Sequence, residues 1–532
     1  MTSARALAGG GGRRAHTRAG GRWLLAVLAV LAMAASACSS GAQGGAASGT
    51  GEPDPNATFR YVFVQDPSSF DPHTSANPWD MVFLRLVYDQ LIQQGPNGEL
   101  RPMLATSWEF SPDGSAVTMS LRDDVTFQDG TPFNAAAVKA NLVRARDMAE
   151  STLSGSLQVI ESIEVVDEYK ARINLNGPGG NLPALFTGRY GTMISPAAMD
   201  NPDLDQQPVG SGMFGLVEFV PGQVTRYVAN ENYWDPSAVK VDKFEIYVQK
   251  SSPTRLNMLR TGQADMTYLL PADTQQAKAS GLHVAPSKSL SIMSFYMNTG
   301  RPPFDDYRVR QAVEHAIDKK ALVQGIFFGA GKAVAQFLPP SHWAYHPGIT
   351  PQNPKYAYNP QRARQLLAEV GYPNGFEFEF LVPALDDHRA VAQAIVPMLA
   401  EVGITAHTRV IESASTAVTF YGREEGDAFP GMGAPFADPT IQYEDNLPGQ
   451  YGNPWNTTSP EFIAAYQSAL EGATRQQRLP ALHTMIAEEK ELRRVIPMFA
   501  ATPPSAWTDE VIFPEGYEPA YAPTFRGVGK TK

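Results

Sequence analysis

"NTGRPPFDDYRVRQAVEHAIDKKALVQGIFFGAG", residues 298 to 331, sets the reading of the whole chain. Val309, Ala312, Val313, Ala316 and Ile317 recur at the three-and-four spacing that lines one face of an α-helix, and such a stripe must pack against another element. The helix starts at Asp306 or Tyr307, so Asp305-Asp306 reads as a turn and a cap rather than as a carboxylate pair for chemistry. Three more helices follow the same logic. Asn134 caps one carrying Val138, Leu142 and Val143. Asn359-Pro360 opens another, in which Ala363, Leu366, Leu367 and Val370 lead to Gly371. A fourth runs from about Arg389 to Val402 and ends at Gly403. Between them lie strands. "TFRYVF" from Thr58 alternates Phe59, Tyr61 and Phe63 and stops at Asp66-Pro67, and "VDKFEIYVQ" and "FEFEFLV" read the same way. Helix and strand signals alternate with no repeat at a fixed period, which makes this a mixed α/β protein.

The N-terminal end speaks to location. Arg5, Arg13, Arg14, Arg18 and Arg22 precede an apolar run from Trp23 to Ala35 and have no acidic neighbour, which is the pattern of a secretory leader. The run is shorter than the ~20 apolar residues a spanning helix needs. Ala35, Ser36 and Ala37 then precede Cys38, the one cysteine of 532 residues. Small residues before a single cysteine suit a lipoprotein processing site, so Cys38 is read as the acylated first residue of the mature chain, which two or more acyl chains hold at the membrane. Arg13-Arg14 lie too far from the apolar run for the twin-arginine route. With Cys38 acylated, no thiol remains for disulfides, catalysis or a metal. Removing the leader takes the formal net charge from −11 to −16, which argues against nucleic acid as a partner. Residues 39 to 57, "SSGAQGGAASGTGEPDPNA", are small, polar and proline-broken, and are expected to be a flexible tether.

Several blocks, in order, carry a family resemblance. "LRPMLATSWEFSPDGSAVTMSLRDDVTFQDGTPFNAAAVKANLVRAR", "PVGSGMFGLVEFVPGQVTRYVANENYWD", the stretch quoted first, "YNPQRARQLLAEVGYPNGF" and the C-terminal "SPEFIAAYQSALEGATRQQRLPALHTMIAEEKELRRVIPMF" span roughly residues 59 to 515. Together they resemble the large solute-binding proteins of peptide and nickel ABC importers, extracellular solute-binding family 5. The resemblance implies a two-lobed clamp of the type II periplasmic-binding-protein kind with an extra N-terminal subdomain. It implies residues 1–37 as leader, 38–57 as tether, 58–290 as lobe I with a subdomain at about 98–205, 291–500 as lobe II, and 501–532 as a segment returning to lobe I. The expected protein is a monomer, lipid-anchored on the outer face of the cell membrane, that catalyses no reaction and needs no cofactor. It delivers a small solute to an ABC permease and its ATPase. Oligopeptide is the expected cargo. A metal chelate such as nickel's is the alternative, and an exported hydrolase is the remote one.

Other motifs yield to plain readings. "GSGMFG", Gly210 to Gly215, matches a dinucleotide fingerprint, yet Pro208 precedes it and the strand-like "VEFV" follows, so its glycines should shape a turn. His342 and His346 stand four apart in "PPSHWAYHPG", where flanking prolines prevent the helix a zinc pair needs. Asp123-Asp124 reads as a turn. The chain after the leader has no G-x-S-x-G and no S-x-x-K with its supporting motifs in order, so acyl-transfer catalysis has no footing.

"FPGMGAPFADPT", residues 429 to 440, bears on the ligand. Peptide-binding relatives carry Gly-Trp-x-x-Asp-x-x-Asp-Pro here, and alignment on Asp438-Pro439 puts Pro435 where their ammonium-binding aspartate stands. Their carboxylate-binding Arg-x-Tyr falls on Val382 and Ala384. Nickel-binding relatives carry Trp-Gly-Ala-Pro-Tyr-Asp-Pro, which Met432-Gly433-Ala434-Pro435-Phe436 resembles. No metal ligand set is assigned. The expected cleft contacts are Ser68, Ser69 and Phe70 from one lobe, and Met432, Gly433, Phe436 and Asp438 from the other. Trp343 and Trp455 are read as core residues before ligand-stacking ones.

Overall fold

The first strand, Thr58–Phe63, shows how the larger sheet is built. Its alternating side chains serve two cores. Phe59, Tyr61 and Phe63 pack among Phe83, Phe244 and Phe525 on one face, and Val62 packs with Leu256, Leu259 and Leu269 on the other. A strand covered on both faces belongs in the middle of a sheet. In this computed structural model it pairs in parallel with Lys243–Val248 on one side and Met266–Tyr268 on the other. The structure describes residues 49, 51–75, 77–95, 98–287, 290–433, 436–520 and 523–532, all within the compact unit Ala46–Lys532. The leader, Cys38 and most of the tether lie outside the described residues.

The seven-stranded sheet runs in the order His283–Pro286, Pro504–Trp507, Met266–Tyr268, Thr58–Phe63, Lys243–Val248, Val224–Ala229 and Phe214–Val220. Its second strand comes from the far end of the chain and pairs antiparallel with both neighbours. The six-stranded sheet runs Gly331–Ala333, Val495–Ala501, Ile292–Met297, Ala428–Met432, Glu377–Pro383 and Thr405–Ile411. The chain therefore passes between the two sheets twice, after Pro286 and after Ala501. Each sheet anchors one lobe.

A four-stranded antiparallel sheet, ordered Ala105–Phe110, Ala116–Leu121, Lys170–Leu175 and Ile160–Asp167, lies in sequence between the strands Thr58–Phe63 and Phe214–Val220 of the seven-stranded sheet. Val117, Met119, Ala171 and Ile173 on one face pack against Val138, Leu142 and Ala145 of the helix Ala135–Asp147.

The helices form where their caps and stripes require. Asn134 Oδ1 accepts the Ala137 N–H at 3.0 Å, Asp306 Oδ1 accepts the Arg308 N–H at 2.8 Å, and Asn359 Oδ1 accepts the Arg362 N–H at 3.0 Å. The stripe of the helix Tyr307–Ala316 is buried with Ala363, Leu366 and Leu367 of the helix Pro360–Glu369 and with Val391, Ile395 and Leu399 of the helix Asp386–Glu401. Each large aliphatic side chain in that stripe contributes about 1.5–3 kcal/mol by leaving water. Gly403 ends the last helix at φ +90° with Asn374 carbonyl oxygen 3.0 Å from where a Cβ would stand, so strain and crowding both exclude a side chain. Among the described residues no helix is long and apolar enough to cross a membrane.

"GSGMFG" forms bends and then enters the strand Phe214–Val220. A Cβ at Gly210 or Gly212 would stand 2.2 or 2.4 Å from backbone atoms of Val87, so these glycines let the loop close against the end of a helix, Met81–Val87. His342 is buried, and its Nδ1 accepts the Ala344 N–H at 3.1 Å. His346 sits in a separate turn beside His483, with ring centroids 4.8 Å apart.

Candidate functional site

Between the lobes lies a cavity of about 1800 Å³. The first lobe supplies Ser68, Trp79, Arg85, Arg189, Tyr190 and Tyr517 to its wall. The second supplies Tyr296, Tyr421, Phe429, Glu444, Asp445 and Arg494. Local folding explains how several of these arrive. Asn77 Oδ1 accepts the Trp79 N–H at 3.0 Å and starts the turn Pro78–Asp80 that feeds the helix Met81–Val87. On the opposite wall the rings of Tyr296 and Phe429, cross-strand neighbours in the six-stranded sheet, stack with centroids 4.7 Å apart. Tyr421 approaches Phe429 edge-on from the short irregular helix Val418–Gly422. The second lobe thus presents an aromatic surface, and the first adds guanidinium groups.

The acids and bases of this wall sit in an unusual environment. Burial pushes the Glu444 carboxyl up to about 7; the Ser156 hydroxyl, which donates to both of its oxygens at 2.9 and 2.8 Å, opposes the shift, and Asp445 adds to it. Burial raises Asp445 as well, against the attraction of Arg494. Arg494 is 6% exposed and donates to the carbonyls of Asp445 and Gly452 at 3.3 and 3.0 Å. Burial lowers both Arg85 and Arg189. His388, also on the wall, holds Asp387 Oδ1 at 2.6 Å through Nδ1. Among the described residues no group of three or more His, Cys, Asp or Glu side chains is gathered to hold a metal.

Two sets of contacts tie the lobes together around the cavity. Ser156 reaches Glu444, and Asn181 Nδ2 donates to Thr440 Oγ1 at 3.0 Å. Elsewhere Lys250 Nζ meets Glu412 Oε1 at 2.7 Å, and the Ser252 N–H donates to Asp386 Oδ2 at 3.0 Å.

The structure spreads the residues expected from the sequence over two environments. Ser68, Met432, Gly433 and Phe436 line the cavity. Ser68 Oγ also donates to the buried Asp80, which Ser75 Oγ reaches at 2.8 Å. Ser69 instead closes its own turn, with Oγ 3.0 Å from Thr74 Oγ1 and accepting the Asp71 N–H at 3.0 Å. Phe70 is 1% exposed and packs edge-on against Phe219 in the core. Asp438 is turned away from the cavity. It caps the helix Pro439–Tyr443 through the Thr440 N–H and forms a two-pronged pair with Arg478 at 2.5 and 2.9 Å.

Pro435 lies outside the described residues. Val382 is core, whereas Pro383 and Leu385 face the cavity, so this strand end offers the ligand no charge. Trp343 donates its indole N–H to the Ala437 carbonyl at 2.9 Å, and Trp455 donates to Glu424 Oε2 at 3.0 Å. Arg85, Arg189, Glu444 and Arg494 escaped the sequence reading. Only Arg85 carried a local signal, as the one charge within "MVFLRLV".

The comparisons fit this geometry. Residues 99–450 match the model of the bacterial extracellular solute-binding proteins, family 5 Middle. The chain is 31% identical over 389 residues to Heme-binding protein A of Haemophilus influenzae, covering 66% of this chain and 69% of the relative. It is 31% identical over 369 residues to the Glutathione-binding protein GsiB of Escherichia coli K12, covering 68% and 71%. Among solved structures, a periplasmic binding protein, DppA from Helicobacter pylori in complex with peptide STSA, superposes with a TM-score of 0.81 at 24% identity, over 90% of this chain and 98% of that one.

Proposed function

The chain belongs to the bacterial extracellular solute-binding proteins of family 5, and on that premise we propose that it is the receptor of an ABC importer, closing its lobes on an oligopeptide and presenting the closed form to a permease and its ATPase. The observation that carries this reading is the cavity walled by both lobes. At about 1800 Å³ it exceeds the ~300–1,000 Å³ that encloses one drug-sized ligand, and it suits a solute several residues long. The named cargo of one relative, glutathione, is itself a tripeptide.

In this reading Cys38 carries the acyl chains, residues 38–57 are the tether, and a monomer works near its transporter at high effective concentration. Lobe I comprises residues 58–290 with its subdomain at about 98–205, lobe II residues 291–500, and residues 501–532 return to lobe I. Ser68, Met432, Gly433 and Phe436 touch the solute, while Ser69, Phe70 and Asp438 support the walls behind them. Cargo leaves unaltered in its covalent bonds. A metal chelate is the alternative cargo, favoured by the Met432-to-Phe436 run.

Equilibrium dialysis of the full chain against peptide mixtures and chelated nickel, followed by mass spectrometry of what is retained, tests this. Retained peptides support the reading, retained nickel moves it to the alternative, and turnover of ester or peptide substrates contradicts it.

A further inference from the structure

The helix Met81–Val87 buries six of its seven residues, and the seventh, Arg85, faces the cavity. Other cations on that wall are already answered by the protein. Arg101 pairs with Glu99, Lys250 with Glu412 and Arg526 with Asp235, while Arg189 Nη1 donates to Thr152 Oγ1 at 3.0 Å and Arg494 to two carbonyls. Arg85 has neither an ion pair nor a hydrogen bond to any described residue. A small recess beside the cavity is bordered by Arg85, Gln93, Asp89 and Arg526, so an acid stands near. Asp89, however, accepts from Tyr233 at 3.0 Å and from the Trp234 indole at 2.7 Å, and its ion-pair contact is with Arg526. Burial alone lowers the Arg85 guanidinium to about 10, with no carboxylate acting against it.

A half-buried cation without a protein partner adds nothing to the fold, and a chain with 54 acids to 43 bases has no shortage of partners to offer. A charge left open at a ligand cavity is completed by the ligand. We propose that Arg85 receives an oxyanion of the transported solute, a carboxylate or a phosphate, and that the cargo is therefore acidic. This rests on the solute-receptor reading above and names its substrate class. The guanidinium presents donors in a planar fork that matches either oxyanion with two parallel hydrogen bonds, and the Gln93 amide beside it can add a donor.

The test uses the full chain, wild type, Arg85→Gln and Arg85→Lys, titrated calorimetrically with Glu-Ala-Glu, Ala-phosphoSer-Ala and amidated Gln-Ala-Gln, alongside mass spectrometry of any copurified solute. Wild type should bind at least one acidic probe tenfold or more tighter than the amidated probe. Arg85→Gln should abolish that preference and Arg85→Lys keep part of it, and the tighter acidic probe tells carboxylate from phosphate. Arg85→Gln without ligand should unfold at the same or a higher temperature and lose the rise in Tm that the acidic probe gives; a structural role would lower the unliganded Tm instead. If the amidated probe binds as well as the acidic ones, or if Arg85→Gln binds like wild type, the proposal fails and the receptor reading stands. If no probe binds but a solute copurifies, a solute that carries a carboxylate or a phosphate supports the proposal and one that carries neither overturns it. If nothing binds or copurifies, the receptor reading fails and takes this with it.

Discussion

Glu314, on the helix Tyr307–Ala316, and Glu444, on the cavity wall, are both acids withdrawn from bulk water in the second lobe, and the protein treats them in opposite ways. Glu314 is fully buried, yet Lys319 stands 2.7 Å from it, Arg493 3.2 Å, and Lys490 completes the ring. Burial raises its carboxyl, but the three cations outweigh that and hold it at about 2. Glu444 has one neutral hydroxyl for a partner and an acid beside it, and burial carries it up to about 7. Arg85 across the cavity repeats the pattern with opposite sign. Charge neutralised inside the fold marks structure, and charge left open around a cavity marks where a solute is awaited.

The largest effect that could break this contrast is Glu314→Ala, which strands three buried cations and should cost about 3–5 kcal/mol in urea unfolding. A loss under about 1 kcal/mol would remove the cluster from the structural side. Acid probes the same group. Its folded pKa of about 2 lies below the ordinary glutamate value of 4.5, so its contribution is fully present above pH 4.5 and is lost as pH falls toward 2. Wild type should give up about 3 kcal/mol over that range that Glu314→Gln does not.

Asp438→Asn comes next. The amide can still cap the helix, but Arg478 loses its charge partner and keeps its carbonyl contacts to Ala469 at 2.6 Å and Gly180 at 3.0 Å. We expect a loss of about 2 kcal/mol, read from the urea midpoint, with peptide binding retained by the folded fraction. Loss of binding at unchanged stability would instead place Asp438 with the ligand.

The smallest effect belongs to Glu444→Gln. Because the folded pKa is raised, wild type should lose stability as pH rises from 4.5 to 7, on the order of 1–2 kcal/mol after screening in the open cavity, and should level off above. The glutamine variant should be flatter over that window. An unchanged slope would show that Glu444 does not titrate as described.

The helices were legible because their signals are local. Asn134, Asp306 and Asn359 cap as their residue types dictate, and the stripe from Val309 to Ile317 had one way to be buried. The helix expected from about Arg389 begins at Asp386, where two acids in the first turn suit the positive helix end and Asp386 also accepts from Ser252. The cavity was less legible. Arg85 and Glu444 become neighbours of one space only after two sheets assemble, which no local period encodes. Where strand pleat decided, a one-residue step was enough: Val382 points to the core and Pro383 to the cavity. Phe70 lies in a bend beyond the first strand, where no period sets its direction, and it is turned into the core against Phe219.

Closure of the lobes on a solute is the claim everything else serves, and the distance between spin labels at Val217→Cys and Val410→Cys reads it directly. Both positions are exposed, at 64% and 57%, on edge strands of the seven- and six-stranded sheets. Saturation with the copurifying solute should shorten and narrow the distance distribution, whereas identical distributions with and without it would contradict the clamp.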